Sequence, residues 1–379
     1  MVDVVVNHVG YAGAPETVDY SGLAKPFDGA HWFHPYCPIR NYDNQTEVEQ
    51  CWLGDHHVSL PDINTRLPAV QSFFRHWISD LVANYSIDGL RIDTVKHVQK
   101  GFWKGFNDAA GVYCLGEALH GDQTLGSPKA PLLFPHELMR QYRYYALLRA
   151  FTPPDGDMGE LVRMMWEVQA RCRDTSLLGT FSENHDQPRF PHFTSDMALQ
   201  LRLTPYTLVY QGQEQHFRGS SDPSNREPLW PTEYRTTTPL YQHISILNRL
   251  RRHAILSQPS PGIHARTRSI MLYADRTTLV VRKADLVAVY SNRGEGSGRR
   301  FVSRIAGVAA PGSTLVDVLR CGVEIVDAGG AFSLVVDSGL PKVSQKLQPP
   351  GFRVLTPTLR HAQAFYPAFR LQGSGICGY

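Results

Sequence analysis

Residues 1–8 read MVDVVVNH, and from Val2 to Val6 the chain is a nearly unbroken apolar, β-branched run. Such a run predicts a strand buried on both faces, the kind that lies inside a parallel sheet with other strands beside it. It ends on a polar pair, Asn7-His8. Further on, AVQSFFRHWISDLVANY (69–85) sets Val70, Phe73, Phe74, Trp77, Ile78, Leu81 and Val82 on one helical face. A short strand DGLRID, a helical GFWKGFNDAAG and a strand GVYCLGEA follow between 88 and 118. The helical GELVRMMWEVQAR (159–171) then leads to an expected strand in LLGTFSENHD (177–186), and YTLVYQGQE (206–214) repeats the type. A last helix is expected in TTTPLYQHISILNRLRRHAIL (236–256), with Thr238 as its cap and Pro239 in its first turn.

Alternating strand and helix predicts a parallel sheet. The residues that end each strand sharpen that reading: Asn7-His8, Asp93, Glu117 and Glu183-Asn184-His185-Asp186. Polar residues gathered at the C-terminal ends of successive strands are the pattern of a (β/α)8 TIM barrel with its site on that face. Residues 9–62, rich in Tyr, Gly, Pro and His, are too long for an ordinary loop and read as an inserted subdomain after the strand. From about residue 262 the texture shifts to short alternating runs such as TTLVVRK, LVAVYSN and AFSLVVD, expected to form a separate antiparallel β-sandwich over 262–379. The barrel portion is then 1–261.

Composition narrows the function. The chain has 379 residues, 42% hydrophobic, with 38 Lys+Arg against 35 Asp+Glu. That balance, scattered along the chain, does not suggest a nucleic-acid partner. No apolar run approaches the length of a membrane span, and no signal peptide is read at the start. Six cysteines divide unevenly. Cys37 and Cys51 are close together in a loop-like segment and suit a disulfide; Cys321 and Cys377 could tie the tail to a strand. Cys114 reads as a buried thiol, and Cys172 has no evident partner. Sequons at Asn44-Gln45-Thr46 and Asn84-Tyr85-Ser86 fit a secreted glycoprotein.

Three carboxylates, Asp93, Glu117 and Asp186, stand at or just beyond strand ends. Alone, each reads as a solvated loop acid or a structural ion pair. On one barrel face they form a catalytic set suited to glycoside cleavage: one carboxylate attacks the anomeric carbon and a second, as the acid, protonates the leaving oxygen. A further anion can stabilise the oxocarbenium-like charge. Arg91, two residues before Asp93, shares its strand face.

DVVVNH, GLRIDTVKH, GEAL and FSENHDQPRF resemble, in order, the four signature regions of the α-amylase family of glycoside hydrolases, and most of all its fungal secreted members. The resemblance covers nearly the whole chain. It implies Asp93 as nucleophile, Glu117 as general acid/base and Asp186 as third acid, with retention of configuration. It implies His8 and His185 as donors to sugar hydroxyls, Lys96, His97 and Gly121 along the product side, and Arg226 as a sugar-site arginine. Calcium is the implied metal, held by Asn7, Glu49, Asp62 and the carbonyl of His97. The implied substrates are α-glucans (starch, glycogen and maltooligosaccharides), and the implied state is a secreted monomer.

Departures from the family pattern carry their own expectations. MVDVVVNH resembles the barrel's third strand, so the first two βα units are expected to be missing from this chain. Residues 191–209 are short for the pattern, and Ser127 stands where a partner for Cys172 is expected. Val343 to Gln363 reads as an insert whose ends suit the borders of an intron translated in frame. Alongside the hydrolase stand two alternatives, a catalytically inactive glucan-binding relative or a non-functional truncated product. A sister specificity, transglycosylation or α-1,6 cleavage, also stays open.

Overall fold

The structure is a computed structural model that describes residues 1–118, 138–140, 142–152, 156–171, 174–195, 208–256, 267–294, 297–320, 322–337 and 342–346. It divides into two compact units: 1–141 with 177–179, and 142–176 with 180–379.

The first unit is built on four parallel strands, β1 (Val2–Val4), β5 (Gly89–Ile92), β6 (Tyr113–Ala118) and β7 (Leu138–Arg140), in that spatial order. Between β1 and β5, residues 9–62 form 3-10 turns, a short helix α1 (Gln45–Val48) and a small antiparallel sheet. In that sheet β4 (Val58–Leu60) lies between β2 (Tyr11–Ala12) and β3 (Leu53–Gly54). The disulfide between Cys37 and Cys51 closes this region.

Helix α2 (Pro68–Tyr85) starts with Pro68 in its first turn, where its fixed φ suits a helix, and stops at Ser86 in the left-handed region. Its expected apolar face is the buried one: Val70, Phe74 and Ile78 are in the core, with Phe73, Trp77, Leu81 and Val82 packed against it. Helix α3 (Lys100–Ala110) buries Phe102, Trp103, Phe106 and Ala110 and ends at Gly111, whose φ of 63° costs glycine nothing. Both helices cover one face of the sheet, against Val4, Val6, Leu90 and Ile92.

The expectation for the first strand is corrected in one respect. Val4 and Val6 are buried, but Val2 and Val5 are 37% and 41% exposed. β1 is the edge of the four strands: Val5 lies on the face away from the helices, and Val2, on the helix-facing side, is exposed at the start of the strand. The other face of the sheet carries polar groups.

In the second unit, helices α4 (Tyr142–Phe151) and α5 (Met158–Arg171) bury Ala146, Leu147, Ala150, Phe151, Met158, Leu161, Met164 and Val168. The strands expected over 177–186 and 206–214 reduce, in the described residues, to one parallel bridge between Phe181 and Leu208. The reason is local. Beyond Phe181 the backbone turns and its polar groups bond to side chains, as when Asn184 Oδ1 accepts from the N–H groups of Asp186 and Gln187. A short helix α6 (Phe190–Phe193) follows. Helix α7 (Pro239–Leu256) is capped as expected, with Thr238 Oγ1 accepting from the Tyr241 N–H at 3.3 Å.

After α7 comes an antiparallel sandwich. One sheet has six strands in the order β13 (Val323–Ile325), β12 (Thr314–Asp317), β15 (Lys342–Lys346), β10 (Leu286–Ser291), β9 (Thr278–Lys283) and β8 (Ile270–Ala274). The other pairs β11 (Arg299–Ala306) with β14 (Ala331–Asp337). Val280, Val287 and Val289 from the first sheet meet Ile305, Phe332, Leu334 and Val336 from the second. Ile246 and Leu250 of α7 pack on Val318, Leu319 and Val343. Residues 342–346, where the insert was expected to start, are thus a sheet strand; 347–363 lie outside the described residues, as do Cys172, Cys321, Cys377 and Ser127.

The disulfide gives a direct test. Its cross-link spans 14 residues, and a loop of that size restricts the unfolded chain by about 3 kcal/mol. Replacing both Cys37 and Cys51 by Ser is expected to lower unfolding free energy by about that much, read from urea denaturation.

Candidate active site

In the first unit, the parallel register between β1 and β5 sets Asp3 directly opposite Arg91. The Arg91 guanidinium donates to Asp3 Oδ1 at 2.9 Å and to Asp93 Oδ1 at 2.5 Å. Burial pulls its pKa down, but the two carboxylates outweigh this and raise it, so the guanidinium stays charged. After Asp93 the chain turns at Thr94, whose φ of 49° is unusual for a β-branched residue. The Thr94 N–H then points to Glu117 Oε2 at 3.0 Å. One peptide unit therefore links the carboxylate on β5 to the carboxylate on β6.

Gly116, just before Glu117, is a close-approach position: a methyl group there would lie 2.8 Å from Val95 Cγ2. His8 and Lys96 join the two carboxylates electrostatically. Burial lowers the pKa of His8, opposed by the charge of Asp93; burial lowers that of Lys96, opposed by Glu117. Lys96 Nζ also lies 5.0 Å over the ring of the exposed Tyr42. The His97 ring is buried, donates from Nδ1 to the Val48 carbonyl at 3.0 Å, and is held neutral by burial, its pKa pulled down to about 3. Asp93, Glu117, His8, Arg91 and Lys96 are thus brought together. Gly121 lies outside the described residues.

The calcium ligands implied by the resemblance centre on Asp62. Among the described residues no three His, Cys, Asp or Glu side chains cluster as a metal group. The implied set is different in kind, mixing an amide, two carboxylates and a carbonyl, which suits a hard cation. Asp62 is 1% exposed and its Oδ2 bonds His34 Nδ1 at 2.6 Å, but its Oδ1 is buried without a hydrogen bond. Burial pushes the Asp62 pKa up to about 6, despite His34 and Asn7. Asn7 is buried beside it, its carbonyl accepting from Ile63 N at 2.8 Å. Glu49 is engaged by Gln45 Nε2 and by Arg66, each at 2.9 Å. An orphaned buried carboxylate oxygen beside a buried amide fits a cation, and Glu49 would have to loosen its hold on Arg66 to take part.

The second unit holds its own group. His185 Nε2 and Arg226 lie 3.5 and 3.6 Å from Asp186 Oδ1, and Arg226 Nε pairs with Asp222 at 2.9 Å. Behind them is a buried network that no sequence pattern announces. Arg189 is fully buried; its Nε donates to Glu227 Oε2 at 2.6 Å and to the Asn225 carbonyl at 3.1 Å, and its Nη1 to the Gln211 carbonyl at 3.0 Å. The guanidinium lies over the rings of Tyr210 and Phe217. Glu183, also buried, accepts from Phe190 N at 3.2 Å and lies 3.5 Å from Arg189. Asp3 is likewise absent from the residues singled out by sequence; its signal was a lone carboxylate inside a valine run.

Residues 1–236 match the family model described as "Alpha amylase, catalytic domain", and 271–348 match "Alpha-amylase, domain C". Alpha-amylase 2 of Schwanniomyces occidentalis is 37% identical over 392 residues, spanning all of this chain and 71% of the relative. Alpha-amylase 1 of Lipomyces kononenkoae is 39% identical over 385 residues, again spanning all of this chain, which covers 58% of that relative's length. Among solved structures, an alpha-amylase from Malbranchea cinnamomea superposes with a TM-score of 0.86 at 40% identity, covering 100% of this chain and 76% of that one.

Glu183 yields a pH test. Burial raises its pKa from 4.5 to about 7, against the opposing charge of Arg189. The folded state therefore keeps a proton that the unfolded chain has lost between those values, and stability from this group falls as pH rises through that window. Glu183→Gln is expected to flatten the pH dependence of stability from about pH 4.5 to about 7, measured by denaturant unfolding at stepped pH.

Proposed function

Because the chain belongs to the α-amylase family of glycoside hydrolases, we propose that it cleaves the α-1,4-glucosidic bonds of starch and related glucans internally, with retention of configuration. Its fold is that of the family, a TIM-barrel catalytic domain followed by an antiparallel C-terminal sheet. The observation that carries the residue assignment is the pairing of Asp93 with Arg91 and the bridge from Thr94 N–H to Glu117.

In this reading Asp93 attacks the anomeric carbon while Glu117 gives its proton to the departing glycosidic oxygen. The bond to the leaving sugar breaks as a glycosyl ester to Asp93 forms. Glu117, now a carboxylate, takes a proton from water, and the hydroxide equivalent displaces Asp93 from the sugar. Two inversions at one carbon give net retention. Arg91 supports the nucleophile by keeping a positive charge and a hydrogen bond on its carboxylate. His8, Lys96 and His185 are assigned to sugar hydroxyls, Arg226 to a sugar site, and Asp186 is assigned by its motif as the further anion.

Calcium belongs to the proposal as a structural ion. Asn7, Asp62, Glu49 and the His97 carbonyl would hold it, neutralising the buried Asp62 and fastening the 9–62 region to the sheet. Secretion and a monomeric state are carried over from the family resemblance. The exposed sequons at Asn44 and Asn84 and the Cys37–Cys51 disulfide support an oxidising, extracellular setting. No helix among the described residues is long and apolar enough to cross a membrane.

Two measurements test this. Asp93→Asn is expected to reduce starch hydrolysis at least about 10³-fold while leaving far-UV circular dichroism unchanged. An unmodified chain that binds maltooligosaccharides and never cleaves them would instead mark it as an inactive relative. For the metal, EGTA is expected to lower the thermal midpoint and added Ca²⁺ to restore it, with the response lost in Asp62→Asn.

A further inference from the structure

Asp186 has little of its own to fix its direction. Its carboxylate is 35% exposed, and its neighbours His185 and Arg226 stand at 3.5 and 3.6 Å, beyond ordinary hydrogen-bond length. Where the carboxylate points therefore depends on the backbone that carries it.

That backbone is gripped from two sides. Asn184 Oδ1 accepts from the N–H groups of Asp186 at 3.2 Å and Gln187 at 2.9 Å. Asn225 Nδ2 donates to the carbonyl of His185 at 3.0 Å and to that of Gln187 at 2.9 Å. These two carbonyls flank Asp186, one residue before it and one after. Arg226 Nε adds a third donor, to the His185 carbonyl at 3.2 Å.

Asn225 is itself fully buried and firmly seated. Its N–H bonds Ser221 O at 2.9 Å, and its own carbonyl accepts from the buried Arg189. Glu227, two residues on, also accepts from that guanidinium and receives the N–H groups of Arg218 and Gly219. The side-chain Oδ1 of Asn225, by contrast, is buried and accepts no hydrogen bond among the described residues. An unpaired buried oxygen carries a cost. Flipping the amide would not relieve it, since the oxygen would then face two carbonyl oxygens. The side chain is kept where its two N–H groups serve the turn.

We infer that Asn225 is a positioning residue for Asp186, clamping the two carbonyls on either side of it, with Arg189 holding Asn225 in place. This rests on the hydrolase reading above. Only an amide offers two donors at this spot with no charge. A carboxylate of the same shape would repel both carbonyls, and a methyl group would release them.

The test uses Asn225→Asp and Asn225→Ser in the full chain, assayed on 4-nitrophenyl maltoheptaoside. Asn225→Asp is expected to lower kcat about 10- to 100-fold with KM changed much less, the cost of misplacing a group by about 1 Å. Asn225→Ser, which keeps one donor and adds no charge, is expected to fall between Asn225→Asp and the unmodified chain, and stands in if the aspartate variant does not fold. In an Asp186→Asn background the same changes are expected to cost less than about twofold, because the group they position is already disabled. Equal losses in both backgrounds would overturn the inference and make Asn225 a general structural residue. Hydrogen exchange supplies a readout independent of turnover: the amides of Asp186 and Gln187 should exchange faster in both variants, while helices α2 and α3 keep their protection. Unchanged exchange at the turn would equally overturn the inference. If the unmodified chain cleaves no glucan, the hydrolase reading fails on its own, and the exchange data still decide whether Asn225 holds the turn.

Discussion

Arg91 lies between two carboxylates, Asp3 across the strand pair and Asp93 two residues along its own strand, and it can reach both only in one register. A slip of one residue between β1 and β5 would turn Arg91 toward the apolar helices and Asp3 away from it. The ion pairing and the hydrophobic packing therefore ask for the same alignment. Val4, Leu90 and Ile92 face α2 and α3, while Asp3, Arg91 and Asp93 share the opposite face. The geometry beyond the strand end depends on that alignment. Asp93 N bonds the Val4 carbonyl, the chain turns at Thr94, and the freed N–H meets Glu117.

Much of this was legible. The helix faces of α2 and α3 follow from apolar spacing, because a helix shows its partner a periodic stripe. The carboxylates at the ends of β5 and β6 stood out because each closes a run of apolar residues. Cys37 and Cys51 pair as their spacing suggested. Less legible was Asp3, which hid inside a valine run and read as strand filler. Its role depends on a partner 88 residues away in sequence, and no local pattern carries that information. The burial of β1 was over-read for a related reason: an apolar run reports that a strand can be covered on both faces, not that both covers are present.

The second unit was harder to read, and the physics explains why. Among residues 182–195 and 208–227, order comes from side chains bonding to backbone carbonyls, as with Arg189, Asn225 and Gln211. Such bonds have no period. A strand was expected at 177–186 because its residues suit one, yet past Phe181 the backbone spends its hydrogen bonds on Asn184 and Asn225 instead. Likewise, Val343 and Ser344 looked like the border of an insert, while the sheet takes them up as part of β15 between β10 and β12. Val343 and Ser344 are both buried there, whatever the origin of the segment.

The contact between Gly116 and Val95 has a consequence for how this chain can change over time. The space beside Glu117 holds one side chain, and Val95 already fills it. A larger residue at 116 would need a smaller one at 95, so the two positions are expected to vary together or not at all. Neither offers a polar side chain to the carboxylates. Drift at a silent-looking valine is nonetheless confined by the glycine next to Glu117, and tolerance at one site is set by the bulk at the other.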